Sequence, residues 1–285
     1  MNKVYACIDG LATTTAVIDW AAWSARRLDV PLEFLHVLDR HPERAAVSDY
    51  SGAIGWDAQE SLLQELSELD EKRSKLAQEA GRRLLVAARE RAAAAGILRL
   101  DTRLRHGELV DNLLDVEPDA RLFVLGEHYH ASQPSRIHLD HHVERVIRSV
   151  KRPVLVATDE RFEEPRRFVI AFDGSPTARK TIETVARSPL LAGLPALVAM
   201  AGADNALARQ QLTEAKQALT AAGFDVAVEL APGEPELVLP ALVKAQGAAL
   251  LVMGAYGHSR IRQLIVGSTT TTLLRLSEVP VLILR

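Results

Sequence analysis

A single cysteine, Cys7, stands in a chain of 285 residues, which excludes an intramolecular disulfide framework and a cysteine-rich zinc site. Cys7 lies in an apolar, strand-like run, where it reads as a small core residue rather than a reactive thiol. Long hydrophobic runs are also missing. No segment stays apolar for the roughly 18 residues that a membrane span needs, and the opening MNKVYACIDG meets an Asp at position 9 without a signal-peptide core. Neither sign of charge prevails: 34 basic residues face 37 acidic ones, for a net charge of -3. No global field therefore favours nucleic acid or anionic lipid as a partner. These absences point to a cytosolic protein with no nucleic acid or membrane to bind. What is present, 48% hydrophobic and 25% charged residues, is ordinary globular composition. The length allows one large domain or two of about 140 residues.

An internal repeat decides for two. KVYACIDG (3–10) and RFVIAFDG (167–174) are both apolar strands ending in Asp-Gly. RHGELVDNLLDV (105–116) pairs with APGEPELVLPAL (231–242), and ARLFVLGEHY (120–129) with AALLVMGAYG (248–257). RPVLVATD (152–159) pairs with VPVLILR (279–285), each strand entered through a proline, where a missing N–H costs no ladder bond. Four matched anchors in the same order indicate a tandem duplication, with domains at 1–159 and 166–285 and ATDERFEEPRRF as the natural linker between them.

Within the second half, strands are expected near 167–172, 196–201, 225–230, 249–253 and 280–284. Helices are expected near 176–188, 205–222, 235–246 and 268–277. The apolar runs are continuous, as in strands covered on both faces of a parallel sheet. Alternation of strand and helix implies right-handed crossovers and doubly wound α/β domains. The strands at 153–157 and 280–284 would be sheet edges, free to pair with each other in an intrachain pseudo-dimer or with another chain in a homodimer. From Asp9 to Pro153 the first half spans 144 positions, against 107 from Asp173 to Pro280, an excess of 37. Most of that excess is a long helical stretch, Asp57 to Ala95, interrupted only by Gly81. In it Leu62, Leu66, Leu69, Arg73, Leu76 and Ala80 form one stripe, expected to pack on the protein's own sheet, with a partner or subunit surface as the alternative.

The stretch GAYGHSRIRQLIVGSTTTT (254–272) carries the most chemistry. In a doubly wound sheet, ligands bind beyond the carboxyl ends of the strands where the strand order reverses. Asp173 ends the first strand of its half and Gly254 the fourth; in the order 3-2-1-4-5 these strands are neighbours. Gly254 and Gly257 would let the backbone bring N–H groups close to an anion. Gly267 would open the last helix, whose free N–H groups favour phosphate, and Ser268, Thr269 and Thr270 add hydroxyl donors.

The spacing G-x2-G-x9-G-[ST] at Gly254, Gly257, Gly267 and Ser268, followed by a helix and VPVLILR, resembles the nucleotide-binding signature of the universal stress protein family. FDGS (172–175) and LHV (35–37) are similar to that family's other hallmarks. The resemblance covers both halves and implies two tandem α/β domains, each a five-stranded parallel sheet of order 3-2-1-4-5 flanked by helices, of the adenine nucleotide alpha hydrolase-like kind. It further implies ATP, with Mg2+ as a companion, held in the second half. Asp173 would lie beside the nucleotide, and Gly254, Gly257, His258, Gly267, Ser268 and Thr269 around its phosphates. Between the first two glycines this chain has Ala255 and Tyr256 where the family often has a small hydroxyl and a basic residue; its nearest arginines are Arg260 and Arg262.

At the matching place the first half reads GEHYHASQPSRIHLDHHVERVIRSVKRPVLVA. Gly126 persists, Tyr129 replaces the second glycine, and Asp140 and His141 stand opposite Gly267 and Ser268. A carboxylate there would repel phosphate, so this half is not expected to hold ATP. His128, His130, His138, His141 and His142 crowd into it, and with Asp140 or Glu127 they could ligate zinc. Their spacing matches no established zinc pattern, and a drifted surface loop is the plainer account. His36 and His106 read as strand-end residues with satisfied hydrogen bonds. No Walker P-loop, G-x-S-x-G elbow or G-x-G-x-x-G fingerprint occurs. Three roles remain: an ATP-binding regulatory module of the stress response with at most slow hydrolysis, a nucleotide-free pseudo-dimeric interaction scaffold, and a true ATP hydrolase.

Overall fold

The structure, a computed structural model, describes residues 2–38, 56–127, 141–247, 250–255 and 268–285. The first half runs β1 (Lys3–Cys7), α1 (Thr14–Leu28), β2 (Leu32–Leu38), α2 (Trp56–Ala94), β3 (Leu100–His106), α3 (Leu109–Val116), β4 (Ala120–Gly126), α4 (His141–Ser149) and β5 (Val154–Ala157). The second runs β6 (Phe168–Ala171), α5 (Pro176–Arg187), β7 (Ala196–Ala201), α6 (Ala206–Ala221), β8 (Val226–Ala231), α7 (Pro235–Ala245), β9 (Leu251–Gly254), α8 (Ser268–Leu276) and β10 (Val281–Leu284). Each element of the second half falls within a few residues of its sequence expectation. α4 and α8 begin the same distance ahead of the shared prolines Pro153 and Pro280, which aligns His141 with Ser268 without a gap.

Each half has the order 3-2-1-4-5, and the two sheets join into one of ten strands, β3-β2-β1-β4-β5-β10-β9-β6-β7-β8. Neighbours are parallel except at the centre, where β5 and β10 pair antiparallel through Val281↔Val156, Leu282↔Leu155 and Ile283↔Val154. The two edge strands therefore cover each other within the chain. Continuous apolar runs follow from burial on both faces. Along β10, Leu282 and Leu284 enter one core layer while Val281 and Ile283 enter the other. Both layers cross the junction. One contains Trp20, Phe34, Phe168 and Leu282; the other contains Phe123, Val156, Leu251 and Ile283.

Polar contacts reinforce the junction. Arg27 Nε–H donates to the Leu190 carbonyl (3.0 Å), and its Nη2 to that of Ala192. Arg285 Nη2 donates to the carbonyls of Ile147 (2.7 Å) and Arg148 (2.8 Å), the orphan acceptors at the end of α4. Phe162, in the segment between β5 and β6, meets Trp20 edge-to-face at 4.8 Å.

The leucine stripe of α2 departs from expectation. Leu66, Leu69 and Leu76 are 39%, 56% and 71% exposed, and Arg73 and Ala80 are exposed too; the Leu62 side chain lies outside the described residues. The face that packs is instead Gly81, Leu85, Ala88 and Ala92, roughly a third of a turn around the helix at about 100° per residue. Small residues win because the helix must approach the sheet closely. A Cβ on Gly81 would stand 2.7 Å from His36 Cδ2 and 2.9 Å from Leu104 Cδ1.

At the other end of the first-half sheet, Glu33 is 1% exposed and meets Lys3 Nζ (2.9 Å) and Arg103 Nε (2.6 Å). Burial first, and the Glu33 charge second, push the Tyr5 hydroxyl up to about 12. Because this folded value lies above the ordinary one near 10, the contribution of Tyr5 to stability is complete below about pH 10. It is lost as pH climbs toward 12. Spectrophotometric titration should show one tyrosine ionising late in the native protein and absent in Tyr5→Phe. For the junction, Leu282→Ala should cost about 2–5 kcal/mol and lower a single unfolding transition shared by both halves, read by denaturant titration with probes in each.

Candidate functional site

The carboxyl ends of β6 and β9 lie side by side, with Val169 opposite Leu251 and Ile170 opposite Val252. From β6 the chain winds outward to β7 and β8, whereas β9 and β10 lie on the other side, so the order reverses between these strands. Just past β6, exposed Asp173 accepts a hydrogen bond on Oδ1 from the Ser175 N–H (2.9 Å). Ser175 Oγ accepts in turn from the Ala178 N–H (3.1 Å), capping α5. Between them Gly174 takes φ +71°, the left-handed region, under the side chain of Gln211. The tight turn from strand to helix thus leaves the Asp173 carboxylate at the mouth of the crevice.

Gly254 ends β9 beside this turn. A Cβ there would lie 2.8 Å from Thr177 Cγ2 and 3.0 Å from Thr181 Oγ1, both on α5. Its glycine is therefore required by helix-on-strand packing, a reason independent of any anion. α8 is the crossover from β9 to its parallel neighbour β10, so its N-terminus opens at the same end of the sheet as Asp173 and Gly254. Ser268 and Thr269 form the first turn of α8, with their side chains outside the described residues; Gly257, His258 and Gly267 lie wholly outside them. The structure thus brings Asp173, Gly254 and the start of α8 to one end of one crevice.

The first half repeats the turn with other partners. Asp9 Oδ1 accepts from the Leu11 N–H (2.9 Å) and from Thr14 Oγ1 (3.0 Å), while Thr14 Oγ1 accepts from the Gly10 N–H (3.0 Å). A Cβ on Gly126 would stand 2.1 Å from Thr13 Oγ1 and 3.1 Å from Val17 Cγ2. Gly126 survives in a half that has lost the rest of the motif because α1 packs against it. Thr13 and Val17 here correspond to Thr177 and Thr181 there, an i, i+4 pair behind each Asp-Gly. Sequence reasoning missed that pair, although its position after the repeat's first anchor is its signal.

The first-half crevice is a cavity of about 200 Å³ walled by Leu35, Val37, Leu109, Leu125 and Val143, with half-buried Cys7 and exposed Asp9 and His142 at its polar edge. Burial pushes the Cys7 thiol above its ordinary range, so at neutral pH it is a protonated, unreactive wall residue. His36 is buried, and its Nδ1 lies 2.6 Å from the Ile8 carbonyl, to which it donates. His106 is exposed at the end of β3. His128, His130 and His138, with Asp140, fall outside the described residues, as does the side chain of His141. Among the described residues no group of three or more His, Cys, Asp or Glu is arranged to hold a metal, and no helix is long and apolar enough to cross a membrane.

The sequence profile of the universal stress protein family matches the chain twice, over residues 1–158 and 164–285. Universal stress protein Slr1230 of Synechocystis is 34% identical over 288 residues, covering 100% of both chains. The crystal structure of a universal stress protein from Archaeoglobus fulgidus superposes with a TM-score of 0.70 at 19% identity, over 100% of this chain and 98% of that one. A universal stress protein solved in complex with cAMP is 27% identical, covers 43% of this chain and 98% of its own, and gives a TM-score of 0.38.

The packing role of Gly126 makes a prediction. Gly126→Ala should destabilise by about 1–3 kcal/mol through overpacking, and Thr13→Ala in the same chain should recover part of that loss. Chemical denaturation of the two single variants and the double variant checks both.

Proposed function

We propose an adenine-nucleotide site in the second half, from the premise that the chain belongs to the universal stress protein family. The observation that carries the reading is the meeting of Asp173, Gly254 and the start of α8 where the strand order reverses. Ligands of open α/β sheets bind at that crevice, and a helix start offers unpaired N–H groups to phosphate. ATP suits this end of the sheet. The backbone at Ser268 and Thr269, with the segment carrying Gly257, His258 and Gly267, would receive the phosphates. Asp173 uses one carboxylate oxygen on Ser175, and the carboxylate would take a ribose hydroxyl or a Mg2+ ion accompanying the nucleotide.

Efficient phosphoryl transfer needs concentrated positive charge and a positioned base. The motif has Ala255 and Tyr256 between its first glycines, and Asp173 is the carboxylate just past β6. We therefore read the nucleotide as a bound signal with slow turnover at most, and the chain as a regulatory module of the stress response. The first half contributes differently. Its apolar cavity and its lack of the second and third glycines favour a structural partner that completes a pseudo-dimer through β5 and β10.

Protein purified without added nucleotide should release about one adenine nucleotide per chain on heating, read by chromatography, and Gly267→Asp should release none while keeping the circular dichroism spectrum of the wild type and the unfolding midpoint of nucleotide-stripped wild type. An empty wild type that also gives no binding heat with Mg-ATP would overturn the nucleotide reading and leave the scaffold role.

A further inference from the structure

The 39-residue helix α2 is about 58 Å long at 1.5 Å per residue, and among its described side chains those that pack on the fold lie in its C-terminal part. Beyond Gly81 it packs through Leu85, Ala88 and Ala92, and Arg91 clamps Asp19 of α1 with two bonds of 2.7 Å. Before Gly81, residues 64 to 76 are all exposed. On this projecting arm Leu66, Leu69, Arg73, Leu76 and Ala80 alternate steps of three and four, the a and d positions of a heptad seam. Three large aliphatic side chains thus share one exposed stripe, an arrangement that marks an interaction surface.

Charge says what covers it. Residues 57 to 71 hold six acidic side chains and no basic one, whereas 72 to 91 hold seven basic against two acidic. The helix dipole favours such an order only within the first and last turn; it accounts for Asp57 and Glu60 but not for Glu65, Glu68, Asp70 and Glu71. The exposed intrahelical pairs Glu71–Lys75 (2.5 Å) and Glu79–Arg83 (2.9 Å) join near neighbours and leave the blocks as blocks. A parallel copy would set acid on acid and Arg73 on Arg73. An antiparallel copy sets each acidic block against a basic one, and a two-fold axis makes the exchange reciprocal.

We propose that the projecting arm of α2 pairs antiparallel with the same arm of a second copy of this chain, about an axis near Glu71. Leu66 then faces Leu76 of the other copy, and Leu69 faces Arg73. This surface lies outside the crevices, so dimerisation and nucleotide binding are separable.

Sedimentation of the full chain over a concentration series should show a monomer–dimer equilibrium that weakens with salt. Leu76→Asp, which would set a carboxylate against Leu66 and the acidic block of the other copy, should raise the dimer dissociation constant by about tenfold or more, with circular dichroism and nucleotide content unchanged. Single-cysteine additions read the direction of pairing: a mixture of Leu66→Cys and Leu76→Cys chains should give a disulfide-linked dimer on oxidation, and neither variant alone should. Wild type, whose Cys7 is half-buried, is the control. A wild type that stays monomeric at every concentration, a dimer untouched by Leu76→Asp, or equal cross-linking of each variant with itself would each overturn the proposal.

Discussion

The pairing of β5 with β10 is the contact on which the remaining architecture rests. Each half alone would end its sheet on a strand with unpaired N–H and C=O groups, an invitation to association. Set antiparallel, Val154 to Val156 and Val281 to Ile283 satisfy each other and continue both core layers across the joint. Burying such side chains is worth about 1.5–3 kcal/mol each. The second half therefore needs the first as a folded neighbour whatever the first binds. That requirement explains how the first half could lose its glycine motif and keep its sheet order, and why the two crevices differ in chemistry while matching in position.

Close approach is the second constraint, and it divides the glycines by cause. Gly126 and Gly254 occupy equivalent strand ends, and a Cβ on either would strike the helix that follows the first strand of its half. Gly81 does the same for α2 over His36 and Leu104. None of the three needs a ligand to account for it. What points to a ligand in the second half is instead where Gly254 lies, with exposed Asp173 and the start of α8 at the same end of the sheet where the strand order reverses, together with Gly257 and Gly267, which the first half lacks.

Much of the fold was legible because both faces of the sheet are covered. Unbroken runs such as Phe168–Ala171 and Val281–Leu284 could be little else once helical patterns separated them, and the repeat fixed their correspondence. The partner of the edge strands was not legible, since an edge offers the same hydrogen bonds to its own chain and to another. The packing face of α2 was misread for a different reason. Leucine count suggested the stripe from Leu62 to Leu76, but the distance between helix and sheet is set by Gly81, Ala88 and Ala92, whose small size carries little weight in a hydrophobic pattern. At the site, the strand-end positions of Asp173 and Gly254 could be read from sequence. The second reason for Gly254, contact with Thr177 and Thr181, needed coordinates.

The proposed site implies an asymmetry: one fold written twice, with a nucleotide crevice in the second copy only. Hydrogen exchange, followed peptide by peptide with and without Mg-ATP, tests it most directly. Added protection should appear at the end of β9 and the first turn of α8, and be absent at the end of β4 and the start of α4. Protection around Gly126 and His142, or equal protection in both halves, would contradict the account.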